Sequence, residues 1–147
     1  MLNPLFLALI IGLILEGRVA ILHVAPPCSS FSWAVNRFAS YAMRSVEFPE
    51  GFWNLPPHRA EKVRLGNAIA EVALKLCQAQ ERAGGAWQWE QPEGSIMFLV
   101  RSIAAFIARP SVFHAVAKVC FFGAPWLKPT AVISNCPYVM DVNVDCP

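Results

Sequence analysis

Val-Ala-Ile-Leu-His-Val-Ala-Pro-Pro-Cys, residues 19–28, is a short apolar run that stops at two prolines and then presents a thiol. The branched residues of Val19 to Ala25 and the turn signal that ends them suit a strand buried in a parallel sheet, with both faces covered. Cys28 follows on a turn stiffened by Pro26 and Pro27, and a rigid support of this kind can present a nucleophile at a fixed position. Ser29, Ser30 and Ser32 surround it with hydroxyls. A second reading stays open on these residues alone, because free cysteine is often just a small buried hydrophobe.

Upstream, Pro4 to Leu15 (PLFLALIIGLIL) is a continuous apolar run. It is shorter than the roughly 20 residues that span a bilayer. It also lacks the positive n-region and small-residue cleavage site of a signal peptide. It reads as a buried helix ending near Gly17, with a signal or membrane-associated segment as the rival reading.

Downstream, Cys28 to about His58 shows no sustained period, and a stretch of that kind reads as a functional lid or a disordered segment. The clearest helix runs from about Arg59 to Ala83. Leu65, Ile69, Val72, Leu76, Ala79 and Ala83 recur there in alternating steps of four and three, predicting one apolar stripe. Gly84-Gly85 supplies its stop. Gly66, inside it, should cost about 1 kcal/mol relative to alanine and implies close packing against a neighbour.

Ala86 to Glu90 (AWQWE) alternates as a strand ended by Pro92. A helix is expected from about Gly94 to Ala108, a strand from Val112 to Phe122, a turn at Gly123-Ala124-Pro125, and a returning strand from Thr130 to Ser134. The tail beyond Asn135 carries no strong signal. Helices alternating with strands predict an α/β fold with helices on the faces of the sheet. Ligands in such sheets bind at the carboxyl ends of the strands, and two of those ends bear reactive groups, Cys28 and Glu90.

Composition supports a single folded domain. Hydrophobic residues make up 56% of the 147 and charged residues 15%, with a net charge of +2. A solvated disordered chain is excluded, and there is no marked basic excess of the kind nucleic-acid binders often carry. The five cysteines (Cys28, Cys77, Cys120, Cys136, Cys146) are widely spaced with no CxxC pair. That pattern supports neither a structural zinc site nor a disulfide framework, so the expectation is no metal and reduced thiols in an intracellular protein.

Glu90 ends its strand beside Trp87 and Trp89. A carboxyl enclosed by apolar groups has its pKa pushed upward and can donate a hydrogen bond near neutral pH. An exposed strand-end glutamate is the plainer reading.

Taken together, these residues resemble a known family. Pro26-Pro27-Cys28-Ser29-Ser30-Phe31-Ser32 is similar to the catalytic-cysteine motif of the DNA (cytosine-5) methyltransferases, Pro-Pro-Cys, two variable residues, then Phe-Ser. Glu90-Gln91-Pro92 resembles the later Glu-Asn-Val motif, with Gln91 in place of asparagine. Gly123-Ala124-Pro125-Trp126-Leu127-Lys128-Pro129-Thr130 resembles a third motif, in which a Gly-x-Pro turn precedes Gln-x-Arg-x-Arg and a closing strand; Lys128 keeps one cation, while Trp126 and Thr130 depart from the pattern. The motifs occur in the family's order over roughly residues 19–135.

The resemblance implies part of a Rossmann-like methyltransferase sheet, mostly parallel with a C-terminal antiparallel hairpin. It implies that Cys28 attacks carbon 6 of a flipped cytosine while Glu90 holds or protonates ring nitrogen 3. Pro27, Ser29, Ser32, Gln91, Pro92, Lys128 and Thr130 would surround the base. Arg37 and Arg44 would contact DNA from the loop after the cysteine, with Phe38 and Tyr41 offering stacking surfaces. The expected cofactor is S-adenosylmethionine, the expected partner DNA, and the expected location the nucleus in a eukaryote. No Phe-x-Gly-x-Gly-like loop precedes the cysteine strand, and no target-recognition domain follows the third motif. The expectation is therefore a partial catalytic module, with an upstream protein segment supplying the cofactor site.

Two other functions stand beside this one. A nucleic-acid-binding remnant of a mobile-element protein would keep the fold without turnover. A cysteine hydrolase would need a histidine near Cys28: His23 reads as a core residue of its strand, and the sequence places neither His58 nor His114 near the thiol.

Overall fold

The computed structural model describes residues 3–38, 40–125 and 128–145. The chain is a mixed α/β protein built on an open four-stranded sheet. Helix α1 (Pro4–Leu15) precedes strand β1 (Ile21–Val24), and a single turn of helix, α2 (Trp33–Asn36), follows the cysteine. Then come α3 (Pro57–Arg82), β2 (Ala86–Pro92), α4 (Arg101–Ile107), β3 (Phe113–Lys118) and β4 (Pro129–Ser134), with 3-10 turns at Ser29–Phe31, Ile96–Leu99 and Pro137–Val142.

The spatial strand order is β1-β2-β4-β3. β1 and β2 pair in parallel, with His23 opposite Gln88 and Val24 opposite Trp89. β4 runs antiparallel to both β2 and β3. Three strands therefore share one direction, but the sheet is mixed rather than mostly parallel, because the returning strand inserts between β2 and β3 instead of adding at the edge.

Helix ends follow their sequence signals. The Asn3 side chain accepts from Leu5 N at 2.9 Å, and Pro4 occupies the first helical position, where its missing N–H costs nothing. At the other end Gly17, with φ 70°, lets its own N–H and that of Arg18 bond back to Ile14 O and Leu13 O. Gly84 and Gly85 close α3 in the same way, on Glu81 O and Gln80 O; this is the Schellman arrangement.

The strict alternation of β2 divides the sheet. Trp87, Trp89 and Gln91 are buried, while Ala86, Gln88, Glu90 and Pro92 are only partly so. The two indoles join Ala70, Ala73, Leu74 and Cys77 of α3 and Ile96, Met97, Ile103, Phe106 and Ile107 of the α4 region in one apolar cluster. Both indole Nε1 atoms lack a hydrogen-bond partner. Burying about 200 Å² of indole at ~25 cal/mol per Å² gives about 5 kcal/mol, more than the roughly 1–3 kcal/mol cost of an unpaired donor.

Several expectations are corrected here. α1 is not a buried helix: Ile14 is its buried residue, and Leu5 is 80% exposed, because the helix rests one side on α3 and has no second layer over it. The Leu65–Ile69–Val72 stripe of α3 looks towards α1, lining a cavity with Pro4 and Leu7. The sheet is met instead by the face carrying Ala70, Ala73, Leu74 and Cys77. The helix expected over 94–108 breaks at Val100, whose extended backbone (φ −58°, ψ 126°) separates a 3-10 turn from α4. Cys28, Cys77 and Cys136 are free thiols, whereas Cys120 is disulfide-bonded, so the reduced-thiol expectation fails there. Among the described residues no helix is long and apolar enough to cross a membrane.

Candidate functional site

The turn bearing Cys28 is held from two sides. Behind it, Gln91 Nε2 donates to the carbonyl of Pro26, and Gln91 Oε1 accepts from Ser95 Oγ at 3.1 Å. Gln91 is 2% exposed, so this bond clamps the end of β2 to the end of β1 inside the core. In front of it, Cys28 O accepts from Phe31 N at 2.6 Å, opening the 3-10 turn. That turn is then pinned through Ser30 and Phe31.

The pin is Arg44, which is 1% exposed. Its guanidinium lies 3.6 Å from the Phe31 ring centroid. It donates to Ser30 Oγ from Nε and Nη2, to Pro49 O and Asn67 Oδ1 from Nη1, and to Val63 O from Nη2. Five hydrogen bonds reach four acceptor atoms, Ser30 Oγ taking two, and they use the full donor capacity of an arginine. Burial pushes its pKa down to about 10, with the charge of Glu50 opposing the shift. Asn36 adds a second tie: its amide donates to Ser30 O and Ser32 O, and its oxygen accepts from Met43 N and Arg44 N.

Gly66 of α3 lies directly beneath. A Cβ there would stand 2.8 Å from Ser30 Oγ, 3.1 Å from Arg44 Nη2 and 3.2 Å from Phe31 Cε2. The close packing that its sequence position implies is therefore with the segment following the cysteine.

Cys28 and Glu90 line the same small cavity. It measures about 170 Å³ and is walled by Ala25, Pro26, Cys28, Glu90, Gln91, Pro92 and Lys128. It lies where β1 ends and β2 is ending, at the carboxyl end of the parallel pair. Glu90 and Lys128 also border a larger groove of about 610 Å³ on the open face of the sheet, which His23, Gln88, Thr130, Val132 and Tyr138 help to line. Glu90 thus stands at the junction of the two spaces.

The surroundings of Glu90 differ from the sequence expectation. Trp87 and Trp89 point to the opposite face, so they do not enclose the carboxyl. Its partner is His23, whose Nε2 is 3.8 Å from Glu90 Oε2, and both side chains are partly exposed, at 47% and 35%. His23 is accordingly not a core histidine. Period-two counting from buried Val24 would have put it on the open face, but the register that sets it beside Glu90 is not visible in either strand alone.

The remaining expected residues divide clearly. Pro92 and Lys128 line the cavity with Cys28 and Glu90. Gln91 contributes to its wall, but its side chain is committed to Pro26 and Ser95, which makes it a clamp rather than a base-binding group. Pro26 forms the wall, while Pro27 and Ser29 are exposed and Ser32 serves Asn36 through its carbonyl. Thr130 lies in the groove, its hydroxyl donating to Lys128 O at 3.4 Å. Arg37 is exposed over the Phe38 ring at 4.6 Å. Arg44 is not a DNA contact, because every donor it has is used inside the protein. Trp126 and Cys146 lie outside the described residues.

Among the described residues no histidine borders the Cys28 cavity. His58 is exposed at the start of α3, and His114 Nε2 is 2.9 Å from Ile107 O. Nor do these residues fit S-adenosylmethionine. The Cys28 cavity itself is smaller than the roughly 300–1,000 Å³ of typical small-molecule sites, the larger groove beside it is lined mostly by apolar residues, and the turn before β1, at Gly17, closes a helix instead of opening one towards the site. Cys77 is no alternative nucleophile, since burial, aided by the charge of Glu81, pushes its thiol up to about 12. No family model, curated protein or solved structure matches the chain.

Proposed function

We propose that this chain is a DNA (cytosine-5) methyltransferase-like catalytic module, a piece of a Rossmann-like sheet that grips one cytosine between Cys28 and Glu90. The observation that carries the reading is the shared 170 Å³ cavity, which Cys28, a free cysteine, lines together with Glu90 and Lys128 at the strand ends. The hairpin formed by β3 and β4 supports it as well, since the resemblance implies such an ending.

The chemistry follows from the residue types. The Cys28 thiolate adds to carbon 6 of the pyrimidine, and the electron pair displaced from the 5,6 double bond makes carbon 5 nucleophilic. Glu90 hydrogen-bonds or protonates nitrogen 3, where the developing charge is most readily taken up. Carbon 5 then picks up a solvent proton. Reversal expels the thiolate and releases the original carbon-5 hydrogen. The cycle balances without another reactant, and it is the part of the reaction these residues can perform. S-adenosylmethionine, the methyl donor, belongs to a separate protein segment in this reading.

Exchange of the carbon-5 hydrogen tests the proposal. Oligonucleotides carrying tritium at cytosine carbon 5 should release it to water in the presence of the protein. Cys28→Ser should abolish release, and Glu90→Gln should slow it by about 100-fold or more, the range typical of a positioned acid. Nucleic-acid binding with no tritium release from the unaltered protein would leave the non-catalytic remnant as the answer.

A further inference from the structure

The segment after the cysteine presents a row of exposed rings and cations. Trp33 begins α2, and Arg37 N bonds to Trp33 O at 2.9 Å one turn later. The Arg37 guanidinium lies 4.6 Å from the Phe38 ring centroid. Tyr41 N bonds to Phe38 O at 2.9 Å, and the Arg59 guanidinium lies 5.6 Å from the Tyr41 ring while donating to Ser40 O at 2.7 Å. Trp33, Phe38 and Tyr41 are 53%, 53% and 63% exposed. Among the described residues neither arginine is ion-paired with a carboxylate.

We infer that this row is a docking surface for unpaired nucleic acid, so the substrate class of the adjoining site is a single strand rather than a duplex. The inference rests on the nucleobase reading of the Cys28 cavity. Exposed aromatic rings interleaved with guanidinium groups that no carboxylate neutralises among the described residues match a single strand, whose bases offer their π-faces while its phosphates run alongside. In a duplex those faces are stacked away, and affinity must come from neutralising many phosphates. This chain is poorly equipped for that, with a net charge of only +2 and Arg44 used internally. A single strand also avoids the cost of extruding the target base. The row begins at Trp33, directly beyond the 3-10 turn that Cys28 opens, so it adjoins the thiol along the chain.

The test is fluorescence anisotropy near 0.15 M salt with one labelled cytosine-containing sequence as single-stranded DNA, single-stranded RNA and duplex DNA. One or both single strands should bind at least about tenfold tighter than the duplex; the DNA and RNA arms identify the sugar. Trp33→Ala, Phe38→Ala and Tyr41→Ala should each weaken single-strand binding by about 5- to 100-fold. The double change Arg37→Gln with Arg59→Gln should flatten the logarithmic salt slope by about 1.4. Trp33, Arg37, Phe38 and Tyr41 are exposed and Arg59 is partly so, and unchanged thermal melts identify the variants as folded. Equal or tighter duplex binding, no nucleic-acid binding, indifference of the aromatic variants, or binding to anionic lipid vesicles instead would overturn the inference. Cys28→Ser separates the two proposals: it should keep single-strand binding while losing tritium release. Release from duplex alone would sink this inference and leave the catalytic reading standing.

Discussion

The two faces of the sheet carry different burdens. On the covered face Trp87 and Trp89 are fully buried against α3 and the α4 region. On the open face, in the same strand, Glu90 is partly exposed, paired with His23 and next to Lys128. One residue of register separates an indole that holds the protein together from a carboxyl free to meet a ligand. The contrast shows how a strand of seven residues can serve stability and chemistry at once: alternation keeps the two from competing for the same atoms.

That division can be broken most severely from the covered side. Trp89→Ala should cost about 3–5 kcal/mol of stability by urea titration, since it leaves a large cavity; a loss below 1 kcal/mol would mean the indole is not central to the core. Arg44→Met comes next, at about 2–3 kcal/mol, because it removes hydrogen bonds to a charged group and strands buried acceptors. Its effect should be regional. Amide exchange should accelerate over residues 29–50 while the β2 and β4 amides stay protected, and uniform acceleration would show that the segment is not an independent unit.

The Cys77 thiol gives a smaller, pH-dependent signature of the covered face. Its folded value is raised from 9.0 to about 12, so the unfolded chain gives up this proton first as pH rises. The associated stability is complete below pH 9 and is lost progressively towards pH 12. Cys77→Ala should flatten that decline in urea titrations, and an unchanged slope would contradict the burial argument. The smallest effects belong to the open face. Glu90→Gln and His23→Gln should each alter stability by no more than about 0.5 kcal/mol, and a larger loss in the same titrations would mean the His23–Glu90 pair is structural.

Much of this arrangement could be read from the chain, for identifiable reasons. Signals carried by neighbouring residues survived folding: Pro4 and Gly17 bounded α1, Gly84-Gly85 stopped α3, and the alternation of AWQWE produced β2. Signals that depend on distant partners did not. Leu65, Ile69 and Val72 form a regular stripe, but which apolar side of α3 meets the sheet depends on where α1 docks. Arg44 looked like a phosphate contact because arginine in an irregular stretch is usually solvated. Its acceptors at Ser30, Pro49, Val63 and Asn67 are scattered over 38 positions, from Ser30 to Asn67. At the site, the Pro-Pro-Cys stretch and Glu90 could be picked out singly, but His23 could be placed only by the register between two strands.

Gly66 extends what must be kept in any redesign of this protein. Replacing the cysteine turn with another reactive loop would fail if only residues 26–32 were transplanted, because the notch in α3 admits that turn and little else. The transferable unit is the turn together with Asn36, Arg44, Gly66 and Asn67 in front and Gln91 behind. A grafting experiment that omits the helix should yield a thiol with no fixed address.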